Sequence, residues 1–315
     1  MTSTRQPQTR LLTDQRRRRE QKLPVDPWKP NGWLREDERG ADGQCRPTLT
    51  LFLTGTECPF DCVFCDLWRQ TLDGPTPRGA IPRQLATGLS QTREPAATAV
   101  KLYNASNFFD PVAVPPEDDA ESASLLRPFR RVIVESHPRF IGQRCLEFSD
   151  RLDGGLEVAI GLETADPDVL ARLNKQMTLE MVADAAATLR MAQIGLRIFL
   201  LVPPPFVDSE EVVVSTQRAV SYAASLGADH VSLIPTRTDH IREGAVVRPT
   251  LGLVEDALEA CGYHDTTGMV VSVDTWDLDA LAICEHCGPA RIDRLRKINL
   301  TGHPVERITC SACTS

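Results

Sequence analysis

The amino-acid sequence predicts an α/β protein built as a partial (β/α)6 TIM-like barrel, followed by a small cysteine-rich metal-binding module. The barrel is predicted by short apolar runs, often β-branched, that alternate with helix-like stretches. The module is predicted by four cysteines in two close pairs near the C-terminus. We therefore expect a basic, partly disordered extension over 1–44, the barrel over 45–248 and a C-terminal extension over 249–315.

Six buried strands are predicted in chain order, each as an apolar run bounded by loop residues. The runs are Thr48–Thr54, Ala99–Tyr103, Val132–Glu135, Leu156–Leu162, Leu196–Val202 and His230–Ile234. Helices are clearest over Leu179–Ala192 and Ser209–Leu226, and a further helix near Leu253–Ala260 precedes a strand-like Met269–Asp274. Strands that alternate with helices form parallel sheets, and in such barrels function lies at the C-terminal ends of the strands.

Composition and charge narrow the class of protein. The sequence has neither an apolar run of about 18 residues nor a secretory signal, so we expect a cytoplasmic protein without membrane contact. The net charge of −8 argues against a dedicated nucleic-acid binder, which usually carries a basic surplus. The first thirty residues are nevertheless locally basic around Arg16–Arg19. They are either a solvated tail or an arm that contacts nucleic acid.

The loop after the first predicted strand carries three cysteines with the spacing Cys-x3-Cys-x2-Cys, namely Cys58, Cys62 and Cys65. Three thiolates can hold three irons of a cubane 4Fe-4S cluster and leave the fourth iron without a protein ligand. The amino and carboxylate groups of S-adenosylmethionine (SAM) can occupy that iron, and an electron from the cluster then splits SAM to a 5′-deoxyadenosyl radical. Structural zinc is the alternative, but it normally requires four protein ligands, and no fourth cysteine or histidine is close in sequence.

This motif, its position after a strand and the aromatic Phe64 before the third cysteine resemble the radical SAM superfamily. In that superfamily the aromatic residue lies against the adenine, so the resemblance implies this role for Phe64. The resemblance also implies an enzyme that abstracts a hydrogen atom from its substrate, and a reductant such as flavodoxin or ferredoxin as a partner. It covers residues 48–235, the whole predicted barrel.

Three charged residues at or beyond strand ends extend the resemblance. Glu135 begins a Glu-x-x-Pro element similar to that of the Elongator-catalytic-subunit and coproporphyrinogen-dehydrogenase branch, whose Glu contacts the methionine end of SAM. Glu163 ends the fourth predicted strand, where the family places a polar residue on the ribose hydroxyls, and a carboxylate accepts two such hydrogen bonds. Lys175 stands where this branch has a basic residue for the SAM carboxylate. A solvated lysine at a helix end is the other interpretation of Lys175.

The segment after the second predicted strand departs from the family pattern. Many family members have Gly-Gly-Glu at this point, whereas this chain has YNASNFFD over 103–110. The segment instead resembles a Ser-Gly-Ser-Phe-type stretch of the radical subunit of archaeosine synthase. Asn104 and Ser106 are the candidates for neutral hydrogen bonds to SAM, and strand register decides which of them faces it.

Two Cys-x2-Cys pairs, Cys284 with Cys287 and Cys310 with Cys313, form the candidate metal site of the tail. Four thiolates at this spacing are typical of a closed tetrahedral zinc site, and a second iron–sulfur cluster is the alternative. The tail is also locally basic, so it is expected to contact phosphates. Its cations are Arg291, Arg294, Arg296, Lys297 and Arg307.

The sequence therefore favours a radical SAM enzyme whose substrate class is open. A tRNA nucleoside is the first candidate, on the resemblance to the archaeosine and Elongator enzymes, which is an argument by analogy. A small metabolite or peptide is the second and suits the acidic net charge. A non-catalytic metal-binding adaptor for RNA or protein is the third, and it requires a fourth ligand at the first cysteine site.

Overall fold

The computed structural model describes residues 21–239, 241, 246–262 and 268–313. Within this part of the chain eight strands form one curled sheet, a half-barrel in which strand order follows chain order. The strands are β1 (Gly32–Arg39), β2 (Cys45–Leu53), β3 (Ala99–Asn104), β4 (Arg131–Glu135), β5 (Leu156–Glu163), β6 (Gly195–Val202), β7 (His230–Pro235) and β8 (Val270–Val273). β1 is antiparallel to β2, and all later neighbours are parallel.

Eight α-helices in the described residues connect or flank the strands. They are α1 (Ala80–Leu89), α2 (Asp119–Leu126), α3 (Gln143–Ser149), α4 (Pro167–Arg172), α5 (Leu179–Met191), α6 (Val212–Ser225), α7 (Leu251–Cys261) and α8 (Gly288–Thr301). Side chains cap several of them: the Thr178 hydroxyl accepts the Met181 N–H at the start of α5, and the Thr250 hydroxyl accepts the Leu253 N–H at the start of α7. None of these helices has the length and apolarity needed to cross a membrane.

The predicted alternation of strands and helices is confirmed. All six predicted apolar runs are strands, and the strand-like run near residue 270 is β8, which pairs with β7 in the same sheet. The helix predicted from Ser209 begins three residues later, because the Glu211 N–H bonds to the Asp208 carbonyl in a turn before α6. The basic run Arg16–Arg19, predicted to be a solvated tail or an arm that contacts nucleic acid, lies outside the described residues. The predicted domain boundaries stay a prediction.

A continuous apolar core fills the space between the sheet and the helices. Leu51, Leu102 and Val134 of three neighbouring strands are at most 1% exposed and belong to this core. Gly88 of α1 lies directly on Leu51, where any Cβ would overlap the leucine side chain. Parallel strands that are buried on both faces are expected to be this apolar. Because β2 to β8 run in the same direction, their C-terminal ends and the loops after them lie at one edge of the half-barrel.

The concave face of the sheet carries buried ion pairs, where a barrel usually has apolar layers. Arg197 of β6 donates from Nε to Glu157 of β5 at 2.6 Å and from Nη2 to Glu38 of β1 at 2.6 Å. Lys101 of β3 forms ion pairs with Glu36 at 2.9 Å and with Glu38. Because β1, β3 and β6 are not neighbours in the sheet, these side chains meet across its concave face. Burial acts to raise the pKa of Glu38, but Arg197 and Lys101 hold it well below its usual range.

Helix α8 packs against both edge strands of the sheet, β1 and β8. The Asn299 side chain bonds to the backbone of β8 twice: Nδ2 donates to the Val273 carbonyl at 2.7 Å, and Oδ1 accepts the Val273 N–H at 3.0 Å. A side-chain amide thus pairs with β8 as the backbone of a further strand would. The helix between the two cysteine pairs therefore covers the open side of the half-barrel.

Candidate functional site

Cys58, Cys62 and Cys65 lie on one loop at the C-terminal end of β2 and line a common cavity. The loop is tied to the segment after α4 by two hydrogen bonds. The Val63 N–H donates to the Leu173 carbonyl at 3.1 Å, and the Asn174 side chain donates to a loop carbonyl at 2.8 Å. The other residues that line the cavity are Glu57, Phe60, Trp68 and Ala105.

The three thiols supply three ligands, one fewer than a closed structural zinc site requires. In the residues that the structure describes, the group of side chains placed to hold one metal ion is formed by the four cysteines of the tail. Burial raises the pKa of all three thiols, that of Cys65 to about 12, so the thiolate forms need cations beside them. A cluster of several irons would supply this positive charge, and three cysteine ligands would leave one of its irons open.

Glu163 and Lys175 form a buried ion pair at the end of β5. Glu163 has a φ of 68°, and the register between β5 and β6 shifts between Gly161 and Glu163. A Cβ on Gly161 would overlap both the Lys175 ammonium and the Glu163 carboxylate. The bulge and the glycine together place the pair, so Lys175 is not a solvated helix-end lysine.

Glu135 lies within electrostatic reach of this pair, at the end of β4. Burial raises the pKa of Glu135 to about 7; Lys175 acts to lower it and Glu163 to raise it. Burial also acts to lower the pKa of Lys175, but Glu163 holds it above its usual range. The structure therefore brings the three charged residues predicted from the sequence into one group.

Three buried polar atoms near the strand ends have no hydrogen-bond partner in the described residues: Asn104 Nδ2, Ser106 Oγ and Ser136 Oγ. The Asn104 side chain is oriented by its Oδ1, which accepts the Ser106 N–H at 3.3 Å. Buried donors are normally satisfied, so these atoms are free to bind a polar ligand. The residues at this edge of the sheet thus fit a zwitterionic, hydroxyl-rich molecule such as SAM.

Phe64 is partly buried and packs against the apolar core. Its predicted contact with adenine stays a prediction. Phe60, which the sequence did not single out, stacks on His137 with ring centroids 4.1 Å apart.

His137 and Asn107 are residues of the site that sequence reasoning missed. The His137 ring accepts the Arg139 N–H at Nδ1 and lies 3.1 Å from the Lys175 carbonyl at Nε2, so Nε2 carries the proton and donates. Burial lowers the pKa of His137 to about 3, which keeps the ring neutral. The only sequence signal for His137 was its place inside the Glu-x-x-Pro element.

The four cysteines of the tail converge on one point. Their sulfurs all lie within 4.8 Å of one another, with Cys284 and Cys310 at 3.9 Å and Cys287 and Cys313 at 3.4 Å. These distances are close to the spacing of about 3.8 Å in a tetrahedral zinc site. The predicted metal-binding cluster is confirmed as a group of side chains that could hold one ion. The identity of that ion stays a prediction.

The basic character of the tail is largely neutralised by α7. Arg294 is 4% exposed and pairs with Glu255 at 3.1 Å and with Glu259 at 2.6 Å. Arg291 donates to Glu255 at 3.0 Å, and Arg307 donates to Glu259 at 2.7 Å. Of the five predicted cations only Arg296 and Lys297, both exposed, lie outside this network. The surface that could contact phosphates is therefore smaller than the sequence suggested.

Comparisons with known proteins give distant relatives. No protein-family model matches the chain. It is 23% identical over 228 residues to an uncharacterized protein of Methanocaldococcus jannaschii, which covers 68% of this chain and 61% of that protein. It is 23% identical over 283 residues to the archaeosine synthase subunit beta of Methanosarcina acetivorans, which covers 83% of this chain and 81% of that subunit.

Among solved structures, coproporphyrinogen III oxidase from Escherichia coli, a radical SAM enzyme, is similar with a TM-score of 0.41 and 18% identity. The similarity covers 68% of this chain and 51% of that one. The chain thus spans less than two thirds of the length of this enzyme and of the M. jannaschii protein. The sequence similarity to an archaeosine synthase subunit agrees with the resemblance stated for the segment 103–110.

Proposed function

We propose that this chain is a radical SAM enzyme with a 4Fe-4S cluster at Cys58, Cys62 and Cys65. The observation that carries the proposal is the placement of these three thiols on one loop at the end of β2, where all three line one cavity. The non-catalytic adaptor requires a fourth ligand at this site. In the described residues, the one compact group of metal-ligating side chains is the tail cluster.

The neighbouring residues suit SAM, which carries an ammonium, a carboxylate, a sulfonium and two ribose hydroxyls. Bound together, the cluster and SAM would supply the 5′-deoxyadenosyl radical that abstracts hydrogen from the substrate. Lys175 offers a cation to the SAM carboxylate, and Glu163 offers acceptors to the ribose hydroxyls. Asn104 and Ser106 supply the unpaired donors that stand in place of the Gly-Gly-Glu element.

Anaerobic reconstitution tests this function directly. The full chain is loaded with iron and sulfide, then incubated with SAM and dithionite. Release of 5′-deoxyadenosine and methionine is the expected result, because the fourth iron is open to the cofactor. A fully assembled cluster that leaves SAM intact would contradict the proposal.

Changing Glu163 to Ala is expected to weaken SAM binding by roughly 1 to 3 kcal/mol, since the ribose would lose a pair of good acceptors. Anaerobic calorimetry measures the affinity, and the visible spectrum of the cluster should not change because Glu163 is assigned to the ribose and not to iron. Glu180→Ala, which removes an exposed carboxylate at the start of α5, is the matched control. An unchanged affinity in Glu163→Ala would make Glu163 a structural partner of Lys175 only.

For the substrate we propose a tRNA nucleoside, supported by the similarity to an archaeosine synthase subunit and by the exposed Arg296 and Lys297 on α8. A small metabolite or peptide is the second candidate, which the net charge of −8 favours.

Binding of unmodified tRNA at several salt concentrations discriminates the two substrate classes. If tRNA is the substrate, log Kd should change linearly with log salt, and changing both Arg296 and Lys297 to Glu should reduce that slope by about 2. Arg218→Glu, which reverses an exposed charge on α6, is the control, and it should change the slope less than the double variant does. A Kd that stays weak and does not depend on salt would favour the small substrate.

A further inference from the structure

Asn107 joins the cysteine loop to the loop after β4, although it is not part of the cysteine motif. It is 5% exposed and follows β3. Its Oδ1 accepts the main-chain N–H of His137 at 2.7 Å, and its Nδ2 lies 3.5 Å from Cys58 Sγ. One buried side chain thus contacts both a predicted cluster ligand and the backbone beyond Glu135.

The orientation of this amide is set by its partners. A main-chain N–H is a donor only, so the atom that faces His137 is the amide oxygen. The NH2 group of Asn107 therefore faces Cys58. His137 cannot move away easily, because its ring is stacked on Phe60 and hydrogen-bonded at both nitrogens. The donor that faces the sulfur is held by the fold before any cluster binds.

A hydrogen-bond donor at a ligand sulfur stabilises the reduced and the oxidised states of a cluster to different extents. One-electron reduction adds a negative charge that the ligand sulfurs share, and a hydrogen bond to sulfur stabilises the more negative state. Hydrogen bonds to the sulfurs are accordingly one of the features that set the reduction potentials of iron–sulfur clusters.

We propose that Asn107 is a positioning residue that donates an N–H···S hydrogen bond to Cys58 and thereby raises the reduction potential of the cluster. The inference rests on the proposed function, because it requires a cluster at Cys58, Cys62 and Cys65. It adds to that function a residue that governs how readily the cluster accepts an electron from its reductant.

The test is a redox titration of the anaerobically reconstituted full chain without SAM. The EPR signal of the reduced cluster is measured at each potential. Asn107→Leu keeps the size of the side chain and removes the donor. At a fixed potential the ratio of reduced to oxidised cluster should fall three- to tenfold, and a tenfold change corresponds to about 59 mV for a one-electron couple. Asn107→Ala is the second variant and should shift the ratio in the same direction.

Asn174→Gly is the matched control. Asn174 donates to the Asp61 carbonyl at 2.8 Å, so it holds the same loop without facing a cysteine sulfur, and its φ of 56° is one that glycine adopts freely. We expect no shift in potential from this change. An equal shift in Asn174→Gly and Asn107→Leu would assign the effect to displacement of the loop and overturn the inference.

Pulsed EPR detects exchangeable protons coupled to the reduced cluster, a signal that would not change if Asn107 only supported the fold. The reduced wild-type cluster should show a coupled exchangeable proton that disappears in D2O and is missing from Asn107→Ala. Identical exchangeable couplings in the two proteins would overturn the inference. So would an unchanged potential in both Asn107 variants, whereas failure of the wild-type chain to bind a cluster would overturn the proposed function itself.

Discussion

Replacing Cys58, Cys62 and Cys65 together by Ala is expected to abolish the release of 5′-deoxyadenosine from SAM. The three thiols are the cluster ligands of the proposal, and their loop is held by backbone and Asn174 contacts that do not involve the sulfurs. The variant should therefore keep its fold and lose the visible absorption of the cluster. Liquid chromatography of the anaerobic reaction measures the product against a protein-free background.

Cys45→Ala is the control for this experiment. Cys45 is an exposed thiol on β2 that lies outside both cysteine groups, so its loss should leave the cluster and SAM cleavage unchanged. Continued SAM cleavage by the triple variant would refute the assignment of the cluster to this loop.

Changing Cys310 to Ser is expected to release the metal of the tail and to unfold locally the segment after α8 and the turn before it, which carry the four cysteines. We expect metal analysis of the reconstituted wild-type chain to find about one zinc and about four irons. In small metal modules the binding free energy is largely folding free energy, so loss of one ligand should remove the local structure. Hydrogen exchange should then rise in the two cysteine-bearing segments, while α8 stays protected by its packing on the sheet and the cluster spectrum persists because its ligands lie elsewhere.

His286→Ala is the matched control for the tail, since His286 is exposed beside Cys287 and is not among the four converging ligands. It should keep the zinc. About eight irons and no zinc in the wild-type chain would refute the zinc assignment and favour a second iron–sulfur cluster. A metal-free tail with normal exchange protection would show that the cysteines are not needed for its fold.

The parallel strands could be predicted because burial on both faces produces continuous apolar runs. β1 could not, since its sequence is GWLREDER and the residues that it turns inward include Glu36 and Glu38. An alternating strand with carboxylates on its inner face has no apolar periodicity, and those carboxylates are stable there only because Lys101 and Arg197 come from distant strands.

The cysteines of both sites could be predicted because their spacing is a local property of the sequence. The roles of Asn107 and His137 could not, because they depend on which loops meet at the end of the sheet. The interpretation of Lys175 also needed the structure: its ion pair with Glu163 exists because β5 has a bulge and a glycine at that point, neither of which the sequence pattern predicted.

The ion pairs on the concave face limit how far the chain can be shortened from the N-terminal side without loss of stability. A chain that began at Cys45 would keep every cysteine and every predicted SAM contact. It would, however, lose both carboxylates that pair with Lys101, and Arg197 would keep only its partner Glu157. Removing one partner of a buried ion pair costs about 3 to 5 kcal/mol, a large part of the about 5 to 15 kcal/mol by which proteins are stable. The smallest active fragment is therefore set by charge balance inside the barrel, and its N-terminal limit lies before β1.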